Sequence, residues 1–132
     1  PVAENFGEPF SVIIDRRDPD PQRRYKMVYR YLTPLPGMKP LGTTTATSAD
    51  GIHWKPSGGV PVPKILDIGH FFFDEQRGKY AVSGRHWDGR RRVQLSWSED
   101  FVTWTDPVLV ADVNDKDPPG AQIYSMAVHR DA

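Results

Sequence analysis

Cysteine is missing altogether from the 132 residues, which excludes disulfide staples and thiolate metal sites while leaving the redox compartment open. Nowhere does an apolar run approach the roughly 18 residues of a membrane-spanning helix, and no charged-then-apolar leader opens the sequence, so no membrane partner is expected. An excess of one charge is missing too. Seventeen Lys and Arg face seventeen Asp and Glu, whereas a nucleic-acid binder would carry a basic surplus. The one basic cluster, Arg90-Arg91-Arg92, follows Asp88-Gly89 and reads as a solvated hairpin turn. Four histidines without close paired spacing give no metal signal. Asp112, Asp115 and Asp117 around Asn114 lack the glycine spacing of a calcium loop and read as a solvated loop. No cofactor is expected.

What is present is punctuation and aromatics. Thirteen prolines and eleven glycines break the chain into short pieces, and four Trp, five Tyr and six Phe supply packing between sheets. The apolar runs are short and bounded by turn residues, which predicts an all-β fold without long helices. Phe10 to Ile14 is an apolar strand stopping at Asp15, and Arg16 to Arg24 is a polar hairpin loop. Tyr25 to Tyr31 alternates as a half-buried strand does. Thr33 to Pro40, with three prolines and a glycine, is a loop; Thr43 to Ser48 is rich in β-branched residues; Asp50-Gly51 is a tight turn.

The same order then recurs. His70-Phe71-Phe72-Phe73-Asp74 repeats the apolar run ending in aspartate, and Lys79 to Ser83 repeats the strand at Tyr25. Val93 to Ser98 follows the Asp88-Gly89 turn, and Ile123 to Val128 begins a further copy. Ser48-Ala49-Asp50-Gly51-Ile52-His53-Trp54 aligns with Ser98-Glu99-Asp100-Phe101-Val102-Thr103-Trp104 at a constant offset of 50, and the preceding strands are offset by 55 to 59. Repeats of about 40 to 50 residues with four short strands each are the pattern of β-propeller blades. The expected organisation is one β-propeller fragment, with a blade over about 9–62, a second over about 69–111 and the start of a third over about 123–132: nine strands, two four-stranded antiparallel blades and one extra strand. In each repeat the aspartate caps the turn and the tryptophan packs against a neighbouring sheet; stacking of Trp54 or Trp104 on a sugar is the minor alternative.

The stretches Ser48 to Trp54 and Ser98 to Pro107, with Arg24-Tyr25-Lys26-Met27-Val28 and Gly78-Lys79-Tyr80, resemble the five-bladed propeller glycoside hydrolases of the invertase, levansucrase and arabinanase superfamily. The resemblance implies an Asp/Glu trio around the propeller axis, at the starts of innermost strands, with carboxylates of separated pKa flanking a glycosidic bond. By that resemblance Glu8 and Asp67 are the catalytic candidates, while Gln122 and Tyr124 stand where a third acid is expected. Arg17-Asp18-Pro19 spells a motif of the invertase-like members but lies after a strand, in a hairpin loop. His70, Arg85, His86, Trp87 and Tyr124 are the substrate-binding candidates, and a cationic and aromatic cluster suits a sugar or a carboxylated sugar. The alternative for Arg85 is a pair with Asp67 that stabilises the blade.

Two function classes follow: a glycoside-hydrolase-like propeller, with a secreted or periplasmic location, or a non-catalytic propeller module binding carbohydrate or protein. Two blades and a spare strand do not close a ring. The expected partner is therefore a second copy in a two-fold dimer, or missing blades of a longer protein.

Overall fold

The computed structural model describes residues 7–31, 42–58, 62–65, 67–87 and 89–128, and within them all side chains except those at 67, 68, 86 and 87. Among the described residues eight strands form two antiparallel sheets. The first holds β1 (Glu8–Ile14), β2 (Tyr25–Tyr31), β3 (Gly42–Ser48) and β4 (Trp54–Pro56); the second holds β5 (Asp67–Asp74), β6 (Lys79–Trp87), β7 (Arg91–Ser98) and β8 (Val108–Ala111). In each sheet the spatial order equals the chain order, so every ladder joins sequence neighbours. The helical content among the described residues is one 3-10 turn, Pro21–Arg23, whose N-cap Asp20 accepts the Gln22 N–H. The ninth strand expected at Ile123 to Val128 is not formed: this stretch enters no ladder.

The pairing registers show that the two sheets are built on one plan. Tyr25 stands opposite Ser48 and Tyr80 opposite Ser98. Val12 stands opposite Met27 and Phe71 opposite Val82; Glu8 faces Arg30, and Asp67 faces Arg85. Residues of β1, β2 and β3 therefore recur 59, 55 and 50 positions later (8 to 67, 25 to 80, 48 to 98), which are the spacings read in the sequence.

Unlike faces of the two sheets meet. From the first sheet, Ser11, Ile13, Lys26, Val28 and Thr45 point toward the second. Ser11 Oγ accepts the Phe71 N–H at 2.7 Å and lies 3.2 Å from the Phe71 carbonyl, and Thr45 Oγ1 donates to the Phe101 carbonyl at 3.4 Å. The second sheet answers with Phe71, Tyr80 and Val82, joined by Phe101 and Trp104 from its last turn, in one cluster with Val28, Val62 and Ile65. The counterparts of Phe71, Phe73, Tyr80 and Val82 are Val12, Ile14, Tyr25 and Met27, which occupy the far face of the first sheet. There Met27, Tyr29, Tyr31 and Ala46 form a separate cluster with Trp54.

The strands β1 and β5 run side by side in the same direction, Phe10 against Gly69 and Ser11 against Phe71. Glycine is required at 69. A Cβ there would overlap the Ser83 carbonyl oxygen, which is backbone, and would come within 2.8 Å of the Phe10 ring. This close approach sits at the bulge between Asp67 and His70.

Candidate functional site

Two constellations of polar side chains stand out, one at each end of the sheet pair. The first lies where β1 and β5 begin. The parallel run of these strands puts Glu8 and Asp67 at the same end, each cross-strand from an arginine. Glu8 meets Arg30 at 3.3 Å with its side chain 64% exposed. The Asp67 side chain lies outside the described residues, but its backbone is in register with Arg85. A carboxylate position facing an arginine at the same register thus recurs in both sheets.

Around this end the chain adds a cation–aromatic cluster. The Arg85 guanidinium lies 4.7 Å from the centre of the Tyr124 ring and that of Arg91 5.5 Å from it. Guanidinium groups over a ring face are held by the ring quadrupole, the more firmly where water is excluded. Arg91 also donates to the Gln122 side-chain carbonyl at 2.9 Å. The stretch 123–128 is tied across the sheet in three steps. Ile123 N–H donates to the Arg91 carbonyl, Ser83 Oγ to the Met126 carbonyl at 3.2 Å, and Val128 N–H to His70 Nδ1 at 3.3 Å. His70 further stacks on Phe72 at 5.5 Å. Of the sequence candidates, His70, Arg85 and Tyr124 thus share one side of the second sheet. Glu8 stands on the first sheet, at the same end as Asp67. The side chains of His86 and Trp87 lie outside the described residues.

The second constellation was not legible as a site. At the β1–β2 hairpin, Lys26 is completely buried, and its Nζ reaches Asp18 at 2.7 Å, Asp15 at 3.0 Å and the Arg23 carbonyl at 3.0 Å. From the other sheet the Tyr80 hydroxyl donates a hydrogen bond to Asp15, and the rings of Tyr80 and Phe101 lie 5.4 and 5.8 Å from the ammonium. Arg17 adds its backbone N–H to Asp15 and lays its guanidinium 3.5 Å from the Phe73 ring centre. Burial alone would raise the Asp15 pKa. The hydrogen bonds from Tyr80, Lys26 and the Arg17 backbone, with the Lys26 charge, prevail and hold it at about 2. Burial and the same Asp15 carboxylate push the Tyr80 hydroxyl well above its usual range. The Lys26 contacts to Asp15, Asp18 and the Arg23 carbonyl stay within the β1–β2 hairpin, and the Tyr80–Asp15 hydrogen bond ties that hairpin to the second sheet, so the cluster is an inter-sheet clamp. Asp18, read in the sequence as part of a loop, caps that loop through the Asp20 N–H and also anchors Lys26.

In both turns of the repeat the aspartate caps as expected; Trp104 packs between the sheets, but Trp54 is only half-buried and packs on the far-face cluster of its own sheet, because no second sheet among the described residues covers that face. Asp50 Oδ1 accepts the N–H groups of Ile52 and His53 at 2.8 Å, and Asp100 Oδ1 those of Val102 and Thr103 at 2.7 Å. The His53 ring on Asp50, with these backbone donors, lowers the Asp50 pKa far below the usual carboxylate range. In the loop after β8, Asp112 pairs with Arg90 of the β6–β7 turn at 2.7 Å and Asp117 accepts the Asn114 N–H at 2.7 Å, so these carboxylates are spent on fixing that loop. Among the described residues no three His, Asp or Glu side chains converge as a metal site. No helix among the described residues is long and apolar enough to cross a membrane.

Comparison of the chain with family models, with curated proteins and with solved structures finds no match.

Proposed function

We propose that this chain is part of a β-propeller whose two sheets are consecutive blades, and that the end where β1 and β5 start binds a carbohydrate, preferably one bearing a carboxylate, without hydrolysing it. The observation that carries the reading is the Arg85–Tyr124–Arg91 cluster beside the starts of two equivalent strands. Ring faces and guanidinium forks suit the apolar faces and carboxylates of acidic sugars. The packing of unlike faces supports the blade assignment, because blades arranged around an axis repeat by rotation and never present the same face to each other.

Binding is favoured over hydrolysis by the state of the carboxylates. Hydrolysis needs an acid and a second carboxylate kept apart in their proton affinity, at a separation fitted to one glycosidic bond. Glu8 is exposed and spent on Arg30, and the third position holds Gln122 and Tyr124. Calorimetric titration with oligogalacturonides and with neutral arabino-oligosaccharides tests the proposal. Acidic oligomers should bind more tightly, and Arg85→Ala or Tyr124→Ala should weaken them by about tenfold. Equal heats from parent and variants, or release of reducing ends on prolonged incubation, would overturn it.

A further inference from the structure

The inter-sheet contact inside the chain is one instance of an interface whose two halves recur, in part, on the outer faces: at the hairpin end of the first sheet, and at the matching end of the second, where Asp74 also pairs with Arg77 at 2.9 Å. Its polar centre is Tyr80 donating to Asp15. By the registers above, the counterpart of Tyr80 is Tyr25, on the far face of the first sheet, and the counterpart of Asp15 is Asp74, 59 positions on, at the end of β5. The local setting is copied as well. Asp15 Oδ1 accepts the N–H two residues on, from Arg17; Asp74 Oδ1 accepts that of Gln76. Tyr80 packs against Phe101, and Tyr25 lies under Gly51 of the equivalent turn.

Both outer faces carry apolar surface in the same places. Val12 and Ile14, the counterparts of Phe71 and Phe73, are 47% and 54% exposed. On the second sheet a groove of about 490 Å³ is lined by Phe72, Leu95, Trp97, Val110 and Val128, with Asp74 at its end. The stretch 123–128 crosses this sheet farther along, at Arg85 and Ser83. Among the described residues nothing crosses the end near the β5–β6 turn, which is where the Tyr80–Asp15 contact sits in the inner interface.

We infer that the groove on the second sheet is a docking surface for the first sheet of a second copy of this chain, with Val12 and Ile14 entering the groove and Tyr25 donating to Asp74. The association is head-to-tail, unlike the two-fold dimer expected from the sequence, because a two-fold axis would set like faces together and the chain's own packing joins unlike ones. A heterologous contact of this kind extends from copy to copy or closes into a ring. Aligned burial of the two faces removes the exposed apolar residues of both from water.

The test is complementation. Sedimentation equilibrium of the parent chain from about 1 to 100 µM should show association beyond a dimer. Ile14→Arg spoils one half of the interface and Phe72→Arg the other, so each alone should be monomeric, its dissociation constant raised at least about tenfold. An equimolar mixture should recover a dimer and stop there, because each copy in it keeps one sound half. Val12→Lys with Leu95→Lys provides a second pair should either arginine variant unfold, which thermal melts report. A parent chain that stays monomeric at 100 µM overturns the second copy as occupant and leaves a further sheet of a longer chain in its place. Variants that associate like the parent, or a mixture that fails to recover a dimer from an associating parent, overturn the assigned faces.

Discussion

The two capped turns are alike in their hydrogen bonds and differ in one side chain, and that difference records which turn has a neighbour. Gly51 and Phe101 occupy the same left-handed position, with φ of 77° and 66°. An L-residue there costs roughly 1–2 kcal/mol, a cost glycine escapes. The second turn tolerates phenylalanine because the ring is fully buried between the sheets, against Phe71, Tyr80 and Trp104. Full burial of such a side chain yields about 1.5–3 kcal/mol, enough to offset the strain. Arg23 from the first sheet also seals this turn by donating to the Asp100 carbonyl at 3.0 Å. The first turn, on an outer face, gains nothing from a ring at 51 and keeps glycine. The tryptophans differ in the same sense. Trp54 is half-buried and donates Nε1 to the Gly51 carbonyl at 3.2 Å, while Trp104 is 8% exposed and its Nε1 has no acceptor among the described residues.

This contrast can be broken most forcefully at the tryptophans. Trp104→Ala should cost about 3–5 kcal/mol, and Trp54→Ala no more than about half of that, in chemical denaturation at neutral pH. Trp104→Phe should fall well below Trp104→Ala, since it keeps most of the packing and discards the unpaired N–H. Equal losses for the two alanine variants would mean that both turns are buried alike.

A smaller effect separates the two tyrosine–aspartate pairs. Asp15 has a folded pKa of about 2 against an ordinary value of 3.8. A depressed carboxylate contributes stability above its unfolded pKa and loses it as pH falls toward the folded one. The chain should therefore lose about 2 kcal/mol between roughly pH 5 and pH 2 on this account. Tyr80→Phe should raise the Asp15 pKa and flatten this acid loss, whereas Tyr25→Phe in the dilute monomer should leave it unchanged. Denaturant midpoints measured across that pH range distinguish the two.

The smallest difference lies at the turn position itself. Gly51→Ala places a Cβ at positive φ, 3.2 Å from the Tyr25 ring, and should cost about 1–2 kcal/mol with no packing gained. Phe101→Leu should cost a comparable amount for a different reason, lost ring contacts at unchanged backbone strain. Melting curves that show Gly51→Ala to be neutral would remove backbone strain from the comparison.

How much of this was legible in the sequence follows from which residues carried periodic information. The strands from Phe10, Tyr25, Thr43, Phe71, Lys79 and Val93 were legible because apolar runs end at Asp, Pro or Gly, and the Ser–Asp–Trp spacing placed both turns. The all-β class and two antiparallel four-stranded sheets follow from that. Ile123 to Val128 shows the same apolar alternation yet pairs with nothing in a ladder. Strand propensity is realised only where a partner edge is available, and β5 turns its side toward β1 instead. The clamp around Lys26 was hidden for another reason. In Tyr25-Lys26-Met27-Val28 the lysine sits where alternation assigns one face, and sequence reading gives a charged residue to solvent. That face is covered by the second sheet, and the lysine is admitted only because Asp15 and Asp18 flank it. For the binding candidates, the sequence gathered His70, Arg85 and Tyr124 through their positions near strand ends, but it held no sign of Arg91 beside Tyr124, because that contact depends on the chain returning from the loop after β8.

The order of the strands has a consequence for how the molecule assembles in time. Each ladder joins neighbours along the chain, so hairpins close over short loops with small entropic loss. The contacts that bind the sheets, Ser11 to Phe71 and Asp15 to Tyr80, span 60 and 65 residues. Local hairpins should therefore precede docking, and the buried lysine acquires its last partner only when docking is complete. Until then the undocked first sheet exposes an ammonium beside Ile13 on the face that will dock. That is a strip that resists wrong, purely apolar association, so the clamp acts during folding as a guard on the face it later fastens.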